Sequence, residues 1–598
     1  MSSVLNPRDL AFHLYELLDT DALATRPRFA GQDREVWDAA LATAQQVAET
    51  HFRPSRSRND ADEPQYLNGR VVTNDAVAPA YQAAAEAGII AATHDADRGG
   101  VQLPHTIASA MIAWLEAANV GSSSYAMLTA GAANLLAAFG SAEQQATWLP
   151  PMLEGRFSGT MALTEPDAGS ALADLRTQAI PQADGSYHLV GTKIWISGGD
   201  HDLTENIVHL VLARIAGAPP GTKGISLFLV PRQQLAADGS VGAWNHVTVG
   251  GIIHKMGWRG TVSTVLNFGE SGPCVGWLVG EPHRGLTYMF HMMNEARIAV
   301  GRSAAAMGSS AYRAALEYAQ TRTQGRLPSE KDPTTPPVPL VAHADIRRLL
   351  LQAKCATEGS MALVLTCARL VDDEQTATTE AERVRATRLL DLLTPIAKSW
   401  PSISCQEAIS QAMQVMGGYG YAREYDVEQL YRDNRLNQIH EGTNGIQAID
   451  LLGRKVPQHG GAALQAFAAW VQADCAAARA AGLTDLAEGV EGALTALGAV
   501  TGSLVAELQA DATRGLANAS VYLEVASRVV FAWIWLRQAT VAQRALEAGA
   551  SGPDADFYLG KVAAARFYVR CELPLNTPAL ALLRRNDATV LELPPAWL

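Results

Sequence analysis

The stretch QIHEGTNGIQAIDLLGRK, residues 438–455, sets a carboxylate, Glu441, between His440 and Gly442 just ahead of a largely apolar run. Two chemistries suit that placement. A carboxylate at a helix start complements the positive end of the helix dipole. Held at a helix entrance and partly stripped of water, it is also a candidate general base. Other stretches carry side chains that suit a ligand. MALTEPDAGSALADLRTQA (161–179) offers Thr164, Gly169 and Ser170, within a Pro-Asp-Ala-Gly run that is also good turn chemistry. In GTKIWISGGD (191–200) two-residue alternation sends Trp195 and Ser197 to one face and Ile194 and Ile196 to the other. An indole with a hydroxyl two residues on suits a planar ring, or a buried hairpin tryptophan. YAQTRTQGR (318–326) sets Arg322 and Gln324 near a helix end, where a fixed cation meets a diphosphate or stays solvated. The paired Gly417 and Gly418 allow a ligand or backbone to come close, or end a helix.

These residues need elements to position them. Residues 1–157 read as a helical domain, with Ala-rich periodicity in DREVWDAALATAQQVAETHF and PAYQAAAEAGIIAAT. Between 158 and 285 come short β-branched runs, among them YHLVGTKIWIS, NIVHLVLARI and GISLFLVP, with turn signals such as Asp184-Gly185. Helical periodicity returns over 286–457, interrupted by the proline-rich LPSEKDPTTPPVPLV, an expected exposed loop. Residues 458–598 form a further Ala-rich helical region, long enough for a domain of its own. The chain is therefore expected to be mainly α with a central β domain.

Composition narrows the function. A net charge of −13 disfavours a nucleic-acid-binding surface. The six cysteines stand singly, without metal-ligand spacing, and read as reduced packing residues of a cytoplasmic protein. No secretory pattern and no uninterrupted apolar run of ~18 residues stand out, so no membrane span is expected. G-x-G-x-x-G after a strand, H-E-x-x-H, G-x-S-x-G and the P-loop are missing, so a nucleotide cofactor needs another mode of binding.

Taken in order, LTEPDAGS, KIWIS, MNEARIAVG, YAQTRTQG, MGGYGY and IHEGTNGIQ resemble the acyl-CoA dehydrogenase family over roughly residues 30–455. The helical extension resembles the longer bacterial branch that includes 3-methylmercaptopropionyl-CoA and broad-range fatty acyl-CoA dehydrogenases. The resemblance implies an N-terminal helical domain, a middle β-barrel, a helical bundle and the extra C-terminal domain. It implies FAD where the β domain meets the helical domain. Met161, Leu163, Thr164 and Ser170 would line the flavin, and Trp195 and Ser197 would cover its other side. Arg322, Gln324, Gly417 and Gly418 would take the diphosphate and adenosine part, commonly across a subunit boundary, and Thr443 would contact the cofactor. Ser170, Asn294, Arg297 and Gly442 would meet the acyl-CoA. Glu441 would remove the α proton while the β hydrogen leaves as hydride, giving a trans-2-enoyl-CoA. Its backbone N–H would help stabilise the enolate oxygen.

The many small residues of GSSSYAMLTAGAANLL leave space for substrate, so a medium or long straight acyl chain is expected. The resemblance further implies β-oxidation, an electron-transfer flavoprotein as acceptor, and a homodimer. Alternatives are a 3-methylmercaptopropionyl-CoA dehydrogenase, an acyl-CoA oxidase and a non-catalytic flavoprotein scaffold. His440 stands where tyrosine is common, and Gly445 where larger polar residues often contact FAD. Some relatives carry the base at the position of Ala296; neighbouring Glu295 is about 100° away around a helix and should point elsewhere.

Overall fold

Runs such as NIVHLVLARI and ISLFLVP, apolar on both faces, form strands buried on both sides. The structure, a computed structural model, describes residues 4–598, the side chains of 291–293 excepted. The chain divides into two compact units, one of Gln32–Ala296 and the other of the residues through Gly31 together with Arg297–Leu598.

The 32–296 unit begins with helices. Residues up to Gly31 include α1 (Pro7–Ala11); then come α2 (Arg34–Val47), α3 (Arg56–Ala61), α4 (Val77–Glu86), α5 (His105–Phe139) and α6 (Ala142–Leu153). Asp33 starts α2 as an N-cap, accepting from the Val36 N–H at 3.2 Å. Helix α5 kinks at Asn119, whose amide donates to Phe52 O and Ser55 Oγ. A hairpin of β1 (Gln65–Leu67) and β2 (Arg70–Val72) interrupts the expected all-helical region. Its turn is Asn68-Gly69, both residues left-handed, which is strong hairpin chemistry that the helical reading passed over.

Ten strands follow: β3 (Phe157–Ala162), β4 (Gln178–Pro181), β5 (Tyr187–Ser197), β6 (Asn206–Ile215), β7 (Ile225–Pro231), β8 (Gln233–Leu235), β9 (Val241–Trp244), β10 (Val247–Ile252), β11 (Ser263–Phe268) and β12 (Val275–Val279). Pairings run β5 to β12, β12 to β7, β7 to β6, β6 to β4 and β4 back to β5, closing a ring. Strand β3 joins parallel to β6, and β11 with β10 extends the second half of β5. Asp184-Gly185 turns β4 into β5, with Gly185 left-handed and the Asp184 carboxylate accepting from Ser186. Leu210, Leu212, Leu227 and Leu229 share one buried cluster with Trp148, Met152 and Met289, so the ring and α6 pack on common apolar side chains.

Helices α7 (Gly285–Thr321), α8 (Ala344–Thr376) and α9 (Glu380–Met416) are long, and residues 322–343 between α7 and α8 are largely exposed, as the prolines lead one to expect. Then come α10 (Asp426–Asn434), α11 (Asn444–Asp450), α12 (Ala462–Ala480), α13 (Thr484–Ala510), α14 (Ala512–Leu516), α15 (Ala519–Glu547), α16 (Gly552–Phe567), α17 (Asn576–Arg585) and α18 (Thr589–Glu592). By length and composition α13 and α15 could each cross a membrane. The apolar window of α15 is mostly buried inside the protein, as in a core helix, and that of α13 is mostly not. All six cysteines are free thiols, five of them buried and Cys571 exposed.

In the second unit, Gly301 on α7 faces α9 so closely that an added Cβ would lie 1.9 Å from the Ala397 carbonyl oxygen. Pro401, four residues further along α9, has no N–H to offer that oxygen, which leaves it free for the close approach. Arg297 lies one turn before Gly301 and Lys398 follows Ala397, so this contact sets two cations near each other.

Candidate active site

Glu441 does not sit in the first turn of a helix. Thr443 is the N-cap of α11, its hydroxyl accepting from the Ile446 N–H at 3.4 Å, so Glu441 lies two residues before the cap. That overturns the helix-start reading of the carboxylate. Glu441 has φ of 54°, a left-handed conformation that costs a non-glycine residue about 1–3 kcal/mol, and Gly442 follows with φ of 87°. The turn is held in that shape from behind. The buried Gln447 amide donates to the carbonyls of Glu441 (3.1 Å) and Gly442 (3.4 Å). Asn444 Oδ1 accepts from Lys398 Nζ (3.4 Å) and Ser402 Oγ (3.5 Å). With its carbonyl engaged, Glu441 presents an N–H that makes no main-chain hydrogen bond among the described residues.

The electrostatics match a base. Burial is the largest influence on Glu441 and raises its pKa above the usual carboxylate value, against the opposing pull of Lys398 and Arg297. Lys398 is fully buried, and desolvation pushes its pKa down to about 7 although Glu441 favours its charge. His440 donates from Nε2 to Asn437 Oδ1 at 3.1 Å; burial and Lys398 push it down to about 3, so it is neutral at physiological pH.

Other expected substrate contacts lie as follows. Arg297 is buried and pairs with Asp450 at 2.8 Å, so what is seen of it is an internal ion pair rather than an open ligand contact. Asn294 is partly buried, and Glu295 accepts from Asn134 Nδ2 at 3.0 Å. Gly442 is partly exposed, and a Cβ there would lie 2.6 Å from Gln447 Nε2.

The residues expected around a flavin form two groups. In the barrel unit, Ile194 N–H donates to Thr164 O at 2.9 Å, and Lys193 Nζ donates to Leu163 O and Glu165 Oε1, both at 2.9 Å. Leu163 and Thr164 therefore lie beside β5, while Met161 pairs with Leu210 of β6. Glu165 accepts further from Arg176 N, Thr177 N and Thr177 Oγ1, which ties the 165–177 segment down. Trp195 is the surprise. The register between β5 and β11 shifts across it, and it has φ of 63°, so it is the left-handed residue of a β-bulge. The bulge corrects the expected strict alternation: Lys193 and Ile196, three apart, are both buried, while Trp195 is 57 % exposed. The hydroxyls of Thr164, Ser170 and Ser197 make no hydrogen bond among the described residues.

An exposed indole on a strained bulge with uncommitted hydroxyls near its strand suits a planar heterocycle with polar edges, so these residues fit a flavin. In the helical unit, Arg322 and Gln324 are exposed and bond each other at 3.3 Å. Gly417 and Gly418 are exposed with open space where a Cβ would go, and Tyr419 beside them lies 6.1 Å from Tyr318 of α7. The four residues expected at a diphosphate thus share one surface region.

Known proteins settle the family. Residues 37–156, 160–270 and 283–456 match the acyl-CoA dehydrogenase N-terminal, middle and C-terminal domains, and 464–594 match an acetyl-CoA dehydrogenase C-terminal-like domain. The chain is 35% identical to the broad-specificity linear acyl-CoA dehydrogenase FadE5 of Mycobacterium tuberculosis, over 99% of each chain. The chain belongs to the acyl-CoA dehydrogenase family. It is 35% identical to the 3-methylmercaptopropionyl-CoA dehydrogenase of Ruegeria pomeroyi, over 94% of this chain and 95% of that one. Its fold resembles an acyl-CoA dehydrogenase of Bacillus anthracis solved with FAD, with a TM-score of 0.72, 19% identity, and coverage of 99% of this chain and 96% of that one. As an acyl-CoA dehydrogenase it is an FAD-dependent oxidoreductase acting on an acyl-CoA thioester.

Sequence reasoning singled out Glu441 but missed what supports it. Asn444 and Gln447 stand three and six residues on, inside the stretch already quoted. Lys398 was legible as a lone cation in LLTPIAKSWPSIS, framed by two helix prolines.

Proposed function

We propose that Glu441 is the base that removes the α proton of a linear, medium- or long-chain acyl-CoA. The observation that carries this reading is the strained, clamped turn that holds Glu441 with a raised proton affinity. A base matched to a weakly acidic thioester benefits from that raised affinity. The free N–H of the same residue is a candidate donor to the developing enolate oxygen. Bound FAD supplies the two-electron acceptor for the hydride leaving Cβ, and the product is the trans-2-enoyl-CoA. Thr164, Ser170, Trp195 and Ser197 would hold the flavin ring; Arg322, Gln324, Gly417 and Gly418 would hold its diphosphate and adenosine end.

The name of the mycobacterial relative supports a linear substrate. The serines of GSSSYAMLTAGAANLL do not bear on length by leaving space: Ser122 is bonded to Asn59, and Thr261 donates to Gly121 O, so that part of α5 is filled by neighbours. An electron-transfer flavoprotein as acceptor, a cytoplasmic location and a homodimer complete the reading. The exposed Tyr419 and Tyr421 beside Arg322 favour a subunit contact there.

The test is anaerobic bleaching of the visible flavin absorbance by acyl-CoAs of increasing chain length, for the native protein and Glu441→Gln. Bleaching of the native form alone, strongest for medium or long straight chains, is the expected result. Equal bleaching of both forms would overturn Glu441 as the base.

A further inference from the structure

The base has a buried cation behind it that no part of the reaction scheme uses. Lys398 lies on α9 between Pro395 and Pro401, with no exposed surface, and its only hydrogen-bond partner among the described residues is Asn444 Oδ1 at 3.4 Å. Asn444 is three residues past Glu441 and is the first residue of α11, so the bond anchors the far end of the turn that carries the base. A buried ammonium without an ion pair at hydrogen-bond distance is expensive. An apolar side chain of similar length would fill the same space without that penalty. The position of α9 that bears it is also brought close to α7 by Gly301.

Resting on Glu441 as the base, we propose that Lys398 is its positioning residue. Through Asn444 it holds the turn, and through its charge it keeps the Glu441 carboxylate ionised and ready before the acyl chain enters. The other groups that bear on this pair are few. Arg297 of α7 acts on both Glu441 and Lys398, and its own charge is balanced by Asp450 of α11, which also binds Arg454. His440 faces Lys398 from the turn and is neutral. On α9 itself, Asp391 is taken by Lys455. Lys398 is thus the cation near Glu441 that lacks a carboxylate partner of its own.

The test is the pH dependence of flavin bleaching by one acyl-CoA for the native holoenzyme, Lys398→Met, Lys398→Arg, Asn444→Ala and Glu441→Gln. Without the cation the carboxylate binds its proton more tightly, so the acid limb of the Lys398→Met profile should move up by about one pH unit. Lys398→Arg, which restores the charge, should bring it back. Asn444→Ala keeps the charge and cuts the tether, so it should lower the plateau rate severalfold with the limb in place. If Lys398→Met folds and bleaches along the native limb while Glu441→Gln is inactive, Lys398 is only core and the proposal falls. If Lys398→Met does not fold, a native plateau in Asn444→Ala overturns the tether. Bleaching by Glu441→Gln at the native rate would instead remove the base assignment, a failure separable from the others.

Discussion

Glu441 sits where burial favours its neutral form, and that has a consequence for stability as well as for rate. Its folded pKa is raised, so its contribution to stability is fully present below the carboxylate range and lost as pH rises through the folded value. At neutral pH the native carboxylate therefore destabilises the fold. Glu441→Gln should slow flavin bleaching about 10²–10⁴-fold and at the same time raise the thermal midpoint at pH 7. Each tenfold change in proton affinity is worth about 1.4 kcal/mol. Below about pH 4 the two midpoints should converge. A midpoint lowered at pH 7 would show that the turn needs the charge rather than tolerating it.

At the scale of elements, two close contacts determine where the site residues stand. Gly301→Ala would drive a methyl into the Ala397 carbonyl and push α7 from α9. It should cost about 1–3 kcal/mol or more, seen in denaturant titration, and slow bleaching more than it weakens flavin retention. Lys193→Met would leave Glu165 buried without its cation, with a cost of roughly 3–5 kcal/mol and loss of flavin on gel filtration. The sequence announced both segments but not their geometry. KIWIS was readable as a strand, yet nothing in it marks Trp195 as the bulge residue, because a bulge depends on the partner strand β11. In LTEPDAGS the turn chemistry was visible, whereas the tie from Glu165 to Lys193 and Thr177 spans residues that only the closed ring brings together. The Asn68-Gly69 hairpin was readable and was hidden by the helical texture around it.

At the scale of the molecule, each unit has its own buried charges. In the barrel unit His201 and His209 are both pushed down to about 3, by burial first and by Arg232 second. Both stay neutral in the fold. As pH falls below about 6.5 the unfolded chain takes up protons that the fold refuses, so stability drops by roughly 1.4 kcal/mol per pH unit for each. Denaturant titrations at pH 6.5 and 5.5 should therefore differ by about 2 kcal/mol in that unit; equal midpoints would place a compensating proton elsewhere. In the helical unit the buried Lys561 of α16 binds Asp9 of α1, Glu358 of α8 and Gln538 of α15. Lys561→Met should lower the stability of that unit by roughly 3–5 kcal/mol. The order helical, β, helical, helical was legible from periodicity alone, but this joining of the two ends was not, since no local pattern links Asp9 to Lys561.

Arg8 meets Asp554 and Tyr558, and Phe12 stacks edge-on against Phe557. On a ribosome adding about 5–20 residues each second, these side chains wait roughly half a minute to two minutes before their partners have even been made. Through that interval the ring of Phe12 lacks the Phe557 and Tyr558 partners it has in the fold. The nascent chain thus carries that aromatic face unpaired while the residues between are made, and a chaperone that covers it there should raise the yield of folded enzyme.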